Sequence, residues 1–220
     1  MSIKNNLLEI KSSLPEHVTL VAVSKTKPVP DLMEAYEAGQ RIFGENKIQE
    51  MADKYEQMPK DIEWHMIGHV QTNKVKYMAP FVNLIHGVDS IKLLAEINKQ
   101  AVKNNRVIDC LLQMHIAEEE TKFGMNEEEL TALIASDDFH QMANIRVTGL
   151  MGMATFTGDE AQIKKEFDHL KSIFDKLNKQ PKTQNLQPET LSMGMSGDYT
   201  IAITSGSTMV RIGSSIFGHR

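Results

Sequence analysis

The chain has 220 residues, 41% of them hydrophobic, which suffices for one sizeable core and is too little for two comfortable domains, so one domain over residues 1–220 is expected. The net charge of −5 comes with Lys and Arg spread along the chain, which excludes the clustered basic footprint of a nucleic-acid binder. No run approaches the roughly 20 apolar residues of a membrane helix, and the N-terminus lacks a signal-peptide core, so the expectation is a cytoplasmic chain with no membrane partner.

In chain order, a polar-apolar stretch at 2–13 predicts a helix ahead of the first strand. Eight short apolar runs follow: 18–24, 41–46, 62–68, 81–88, 107–116, 145–154, 189–195 and 209–218. They are nearly continuous in apolar character and bounded by Gly, Asn or Ser, as strands buried on both faces are. Helical patterns lie between them. Residues 31–38 open on Asp31, a candidate N-cap. Residues 90–104 follow a Ser90 cap. Residues 126–136 open on Asn126 with Glu129 three later, a capping-box spacing. Residues 159–178 place Ile163, Phe167, Leu170, Ile173, Phe174 and Leu177 at a 3.6-residue period. The stretch 179–188 is polar with two prolines and reads as a surface loop.

Eight strands alternating with helices call for a parallel sheet. In about 220 residues, a closed (β/α)8 barrel of the TIM type fits better than an open doubly wound sheet. Barrel chemistry sits at the C-terminal ends of the strands. The polar and glycine-rich residues do follow the runs: Ser24-Lys25, Gly44-Glu45-Asn46, Gly68-His69, His86-Gly87, Thr121-Lys122, Thr155, Ser192 and Arg211-Gly213-Ser214.

Lys25 closes the run LVAVSK. A lysine partly desolvated there has a lowered pKa, with Lys27 pushing the same way, and a neutral amine attacks aldehydes. Position alone fits a surface lysine at a strand end even better. Gly213 lets backbone N–H groups approach a ligand, and loops after the last two strands are the usual phosphate site of such barrels. Two tight closing turns fit these residues equally well. Asn46 both donates and accepts, and Glu45 reads as a cap for the following helix. His65 and His69 lie about 13 Å apart if extended, so no metal pair is expected. Cys110, the one cysteine, reads as a buried and inert thiol. No GxGxxG or GxxxxGK[ST] loop occurs.

The strings AVSKTKP, FGEN, WHMIGHVQTNK, GLMGM, LSMGMSGD and GSTMVRIGSSIFG occur in this order from about residue 18 to 218. Together they resemble the pyridoxal phosphate homeostasis protein family (the bacterial YggS and PROSC-like group). The resemblance implies a barrel like the N-terminal domain of alanine racemase and pyridoxal 5′-phosphate (PLP) as cofactor. It implies that Lys25 forms the internal aldimine, a Schiff base, and that Arg211 hydrogen-bonds the pyridine nitrogen. It also implies that Gly213 and Ser214 contact the phosphate, with Ser192, and that Asn46 lies near the ring. Two positions depart from the family pattern: His69 after WHMIG, and Phe123-Gly124 in the loop at 118–125.

Arginine only donates, so facing the ring nitrogen it keeps that nitrogen unprotonated and weakens the electron sink. The chain ends at Arg220, after the last strand, and no second domain with an opposing base is expected. The reading is therefore a non-catalytic carrier or regulator in PLP (vitamin B6) homeostasis, with no catalytic residues and no metal. PLP-dependent apoenzymes are the expected acceptors, and a monomer the expected state. The rival readings are a PLP-dependent racemase or decarboxylase, and a Schiff-base aldolase using Lys25 without the cofactor.

Overall fold

The computed structural model describes residues 2–119 and 123–218. Eight parallel strands close into a barrel in sequence order: β1 (Thr19–Val23), β2 (Ile42–Glu45), β3 (Glu63–Met66), β4 (Leu84–Val88), β5 (Ile108–Gln113), β6 (Ile145–Met151), β7 (Leu186–Met195) and β8 (Met209–Ile212). Each lies within or beside one of the apolar runs. Helix α1 (Ile3–Ser13) precedes β1 and α2 (Val29–Glu37) follows it. The connections after β2 and β3 carry α3 (Ile48–Gln57) and, behind a 3-10 turn at Thr72–Lys74, the short α4 (Val75–Met78). Then come α5 (Ile91–Lys103), α6 (Glu127–Ala135), α7 (Asp137–His140), α8 (Glu160–Asn178), α9 (Tyr199–Thr204) and α10 (Ser214–Phe217).

The helix starts follow from donors that need acceptors. Ser90 takes the N–H of Leu93, and Asp159 takes those of Ala161 and Gln162. Asn126 and Glu129 form the reciprocal capping box. Asp31 does not cap α2. The helix begins two residues earlier, behind Pro28 and with Pro30 in its first turn, where a proline's missing N–H needs no partner. Asp31 instead adds negative charge to that first turn.

Two boundaries differ from the sequence reading. β7 starts at Leu186, inside the expected loop 179–188, and runs through Pro188. Between the pairs Val147–Leu186 and Gly149–Thr190, two steps of β6 face four of β7, so the proline sits in an irregular stretch where its missing N–H leaves no gap in the ladder. The last run, 209–218, divides into β8 and α10 around Gly213.

The barrel encloses two kinds of layer. Inside, Val21, Leu84, Leu111, Met151 and Met209 form an apolar plug, backed by Ile42. Outside, the helices bury a continuous shell that includes Trp64, Phe43, Leu94, Phe139 and Phe167. Because side chains alternate along a strand, the inward positions above the plug fall on Val23, His86 and Arg211. That alternation puts polar groups directly over the plug. Among the described residues, no helix is long and apolar enough to cross a membrane.

Gly149 lets β6 and β7 meet. Its φ is +154°, and a Cβ there would stand 1.8 Å from the Thr190 carbonyl oxygen. Gly149→Ala is expected to destabilise the protein by roughly 2–4 kcal/mol. Urea denaturation checks this; an unchanged midpoint would mean the two strands part without cost.

Candidate functional site

A cavity of about 770 Å³ opens over the C-terminal ends of the strands. The chain reaches it one or two residues beyond β1, β2, β3 and β8, at Lys25, Asn46, Gly68 and Gly213.

Lys25 stands in a tight turn, closed by the Lys27 N–H on the Ser24 carbonyl at 3.0 Å. The third residue of that turn, Thr26, has φ +66°. Glycine or asparagine is usual in that place, and a β-branched residue there is strained by about 1–3 kcal/mol. Lys25 and Lys27 both line the cavity, and the Lys27 ammonium also donates to the Phe217 carbonyl at 2.9 Å.

Arg211 forms part of the floor and is 4% exposed. Its guanidinium donates to the Ser192 carbonyl (2.9 Å), to Ser192 Oγ (2.6 Å) and to the Gly152 carbonyl (3.1 Å). Burial pulls its pKa down to about 10, with Asp198 opposing, so it stays charged at neutral pH. A guanidinium has five N–H donors, and these three bonds leave two for a ligand.

Ser192 lies below Arg211, is fully buried, and is not part of the cavity wall. Its hydroxyl meets His86 Nδ1 at 3.1 Å, and His86 Nε2 meets His65 Nδ1 at 3.1 Å. Arg211 cannot accept, and among the described residues the Ser192 hydroxyl has no acceptor other than His86. The serine proton therefore points to His86 Nδ1, His86 donates from Nε2, and His65 carries its proton on Nε2. Burial lowers both imidazoles: His65 to about 3, and His86 well below its usual value, with His65 and Arg211 adding to the effect. Two neutral rings thus stand behind one cation.

The rim near Gly213 is built by close approach. A Cβ on Gly213 would lie 2.9 Å from the Val23 carbonyl oxygen, and its N–H donates to Ser196 Oγ at 3.2 Å. Ser196 and Gly197 line this side with Ser214. Across β1, Asn46 Oδ1 is buried with no hydrogen-bond partner among the described residues. Gly68 lets the Asn46 backbone pass, since a Cβ there would stand 2.5 Å from the Asn46 carbonyl. At the mouth, His69 stacks on Phe123 with centroids 4.2 Å apart, and Phe156 is 92% exposed.

Of the six residues singled out in the sequence, Lys25, Asn46, Arg211, Gly213 and Ser214 meet at this cavity. Ser192 does not: it braces Arg211 from beneath, so the phosphate contact implied for it falls on the wrong side of the floor. Ser196 was missed. It is the first residue beyond β7, where the strand-end rule points, whereas Ser192 lies inside the strand. Thr155 lines the cavity, but its N–H and hydroxyl both bond Glu166. Glu45 does not cap α3, which starts behind Lys47; it pairs with Lys54. Thr121 and Lys122 lie outside the described residues.

The family model for the alanine racemase N-terminal domain matches residues 1–220. The pyridoxal phosphate homeostasis protein of Aquifex aeolicus (strain VF5) is 40% identical over 202 residues, 91% of this chain and 86% of that protein. The chain belongs to the pyridoxal phosphate homeostasis protein family. The relative of the same name in Escherichia coli (strain K12) is 37% identical over 213 residues, covering 94% of this chain and 87% of its own. Among solved structures, PipY of Synechococcus elongatus PCC7942 with PLP bound superposes with a TM-score of 0.89 at 32% identity, covering 99% of this chain and all of that one. The alanine racemase of Clostridium difficile 630 in complex with cycloserine shares the fold at a TM-score of 0.81 and 15% identity, and this chain spans 60% of its length.

The neutral histidines give this homeostasis-family site a pH signature. Folded His65 binds its proton only near pH 3, whereas the unfolded chain binds it near 6.5. Its contribution to stability is therefore complete above pH 6.5 and is lost as the pH falls from there towards 3. Over that window His65 contributes a slope of about 1.4 kcal/mol per pH unit. His65→Asn is expected to flatten the acid limb of stability against pH by about that slope, read from urea melts at successive pH values. Equal slopes in both proteins would count against a neutral His65.

Proposed function

We propose that the chain, as one barrel domain over residues 1–220, holds pyridoxal 5′-phosphate on Lys25 and serves PLP homeostasis without efficient catalysis. One observation carries the reading. An amine, a buried cation with N–H donors to spare and a rim of serine hydroxyls meet at the same cavity, beside an acceptor with no partner among the described residues.

These residues fit the cofactor group by group. Lys25 offers the amine. Arg211 has N–H donors left for a ring nitrogen. Asn46 Oδ1 lacks a donor, and the ring hydroxyl is one. Ser214 and Ser196 line the side where a phosphate needs donors, and the Gly213 N–H holds Ser196 Oγ in place there. When bound, the cofactor supplies an aldehyde carbon that condenses with a primary amine and releases water.

The absence of efficient catalysis rests on proton placement. Arg211 only donates, so a ring nitrogen facing it stays unprotonated and the ring draws electrons weakly. His65 and His86 sit behind Arg211, outside the cavity wall, and are held neutral by burial. Neither is placed to take a proton from a ligand. The relatives' shared name supports the homeostasis role, and PipY with PLP bound supports the cofactor. We extend the proposal to a cytoplasmic monomer that hands PLP to apoenzymes.

Lys25→Ala is expected to abolish covalent capture of PLP and to leave the unfolding free energy from urea melts within roughly 0.5 kcal/mol of the parent. Borohydride reduction and peptide mapping read the capture. Label that persists in the variant would assign the amine to another lysine. A parent protein that takes up no PLP would remove the cofactor reading altogether.

A further inference from the structure

The turn that carries Lys25 is held from beneath by buried charges. Helix α3 brings Glu50 and Lys54 together one turn apart, and β2 ends on Glu45. The Lys54 ammonium is 2.6 Å from Glu45 Oε1, 2.8 Å from Glu50 Oε1 and 2.8 Å from the Ser24 carbonyl. An ammonium has three donors, and these acceptors use all of them. Lys54 is 5% exposed, Glu45 is fully buried, and Glu45 Oε2 has no partner among the described residues.

The same network grips both neighbours of Lys25. Ser24 Oγ donates to Glu45 Oε1 at 2.6 Å, and the Thr26 N–H donates to Glu50 Oε1 at 2.5 Å. Thr26 is the residue with φ +66°, a conformation threonine leaves unless something holds it. Burial raises the Glu45 carboxyl while Lys54 and Ser24 oppose that shift. Lys54 does not line the ligand cavity, so its effect on the site passes through the turn.

We propose that Lys54 is a positioning residue for Lys25: its ammonium locks Ser24 and, through Glu50, Thr26, and thereby aims the Lys25 amine at aldehydes entering the cavity. The inference rests on Lys25 as the capturing amine. Capture joins Lys25 Nζ to the aldehyde carbon, and the two amine hydrogens leave with the carbonyl oxygen as water. Borohydride then adds hydride to the C=N carbon, water protonates the nitrogen, and a secondary amine remains.

The test compares the parent with Lys54→Met and with Lys54→Met/Glu45→Gln. The double substitution removes both buried charges, where the single one strands Glu45 in the core. Two probes are used separately, PLP and formaldehyde, each trapped with borohydride. Label at Lys25 is scored against the exposed Lys179. Both variants are expected to label Lys25 on the order of ten- to a hundredfold more slowly, the loss that misplacing a reacting group produces. The Thr26 amide is expected to exchange faster with solvent in the ligand-free variants. Adding Thr26→Gly to the double variant is expected to recover labelling, because glycine keeps a positive φ unaided. Unchanged Lys25 labelling in the folded double variant overturns the proposal. Formaldehyde labelling that depends on Lys54, in a protein that captures no PLP, supports the positioning role and overturns the cofactor reading alone.

Discussion

A guanidinium sealed inside a barrel must have oriented acceptors, and the arrangement around Arg211 follows from that demand. An unpaired cation so deeply buried would cost many kcal/mol. Two carbonyls and one hydroxyl meet it, and the hydroxyl in turn fixes the proton positions on His86 and His65. A charged relay would set like charges beside the arginine, and burial keeps both rings neutral. The pocket floor is therefore a single fixed positive charge with donors left over.

The barrel makes such a floor affordable by stacking layers. The plug of Val21, Leu84, Leu111, Met151 and Met209 fills the lower interior and shuts out water. Alternation then lifts Arg211 and His86 into the layer above, and Gly213 and Asn46 reach the mouth. One apolar layer, one polar layer and one ligand layer are set by the period of two along a strand. The shared architecture with alanine racemase at 15% identity fits this account, since layering needs pattern more than particular side chains.

Strain gathers beside the pocket floor, at the end of the neighbouring strand β1. Thr26 holds a positive φ beside Lys25, and a buried ion-pair network holds Thr26. Removing either member of a buried pair strands the other, so Glu45 and Lys54 are tied to one another and to the Ser24 carbonyl. The cavity thus has one wall stabilised by a relay of neutral groups and another by opposed charges.

Much of this was legible in the sequence. Eight apolar runs announced eight strands, because strands buried on both faces leave a continuous apolar signal. Ser90, and Asn126 with Glu129, announced helix starts, because caps are local. Lys25, Asn46, Arg211, Gly213 and Ser214 share one cavity because each sits at or just beyond a strand end. The errors share one cause. Ser192 was placed at the rim because strand β7 ends three residues later than the motif suggested, and Glu45 was read as a cap because its partner Lys54 lies nine residues on. The path from Arg211 through Ser192 to His86 and His65 joins four strands, and no spacing along the chain encodes it. The sequence by itself determined which residues lie inward and which end a strand, since both follow from local period and turn chemistry. Only closure of the barrel decided which of those residues touch, because contact across strands depends on register and on which buried charges must be met.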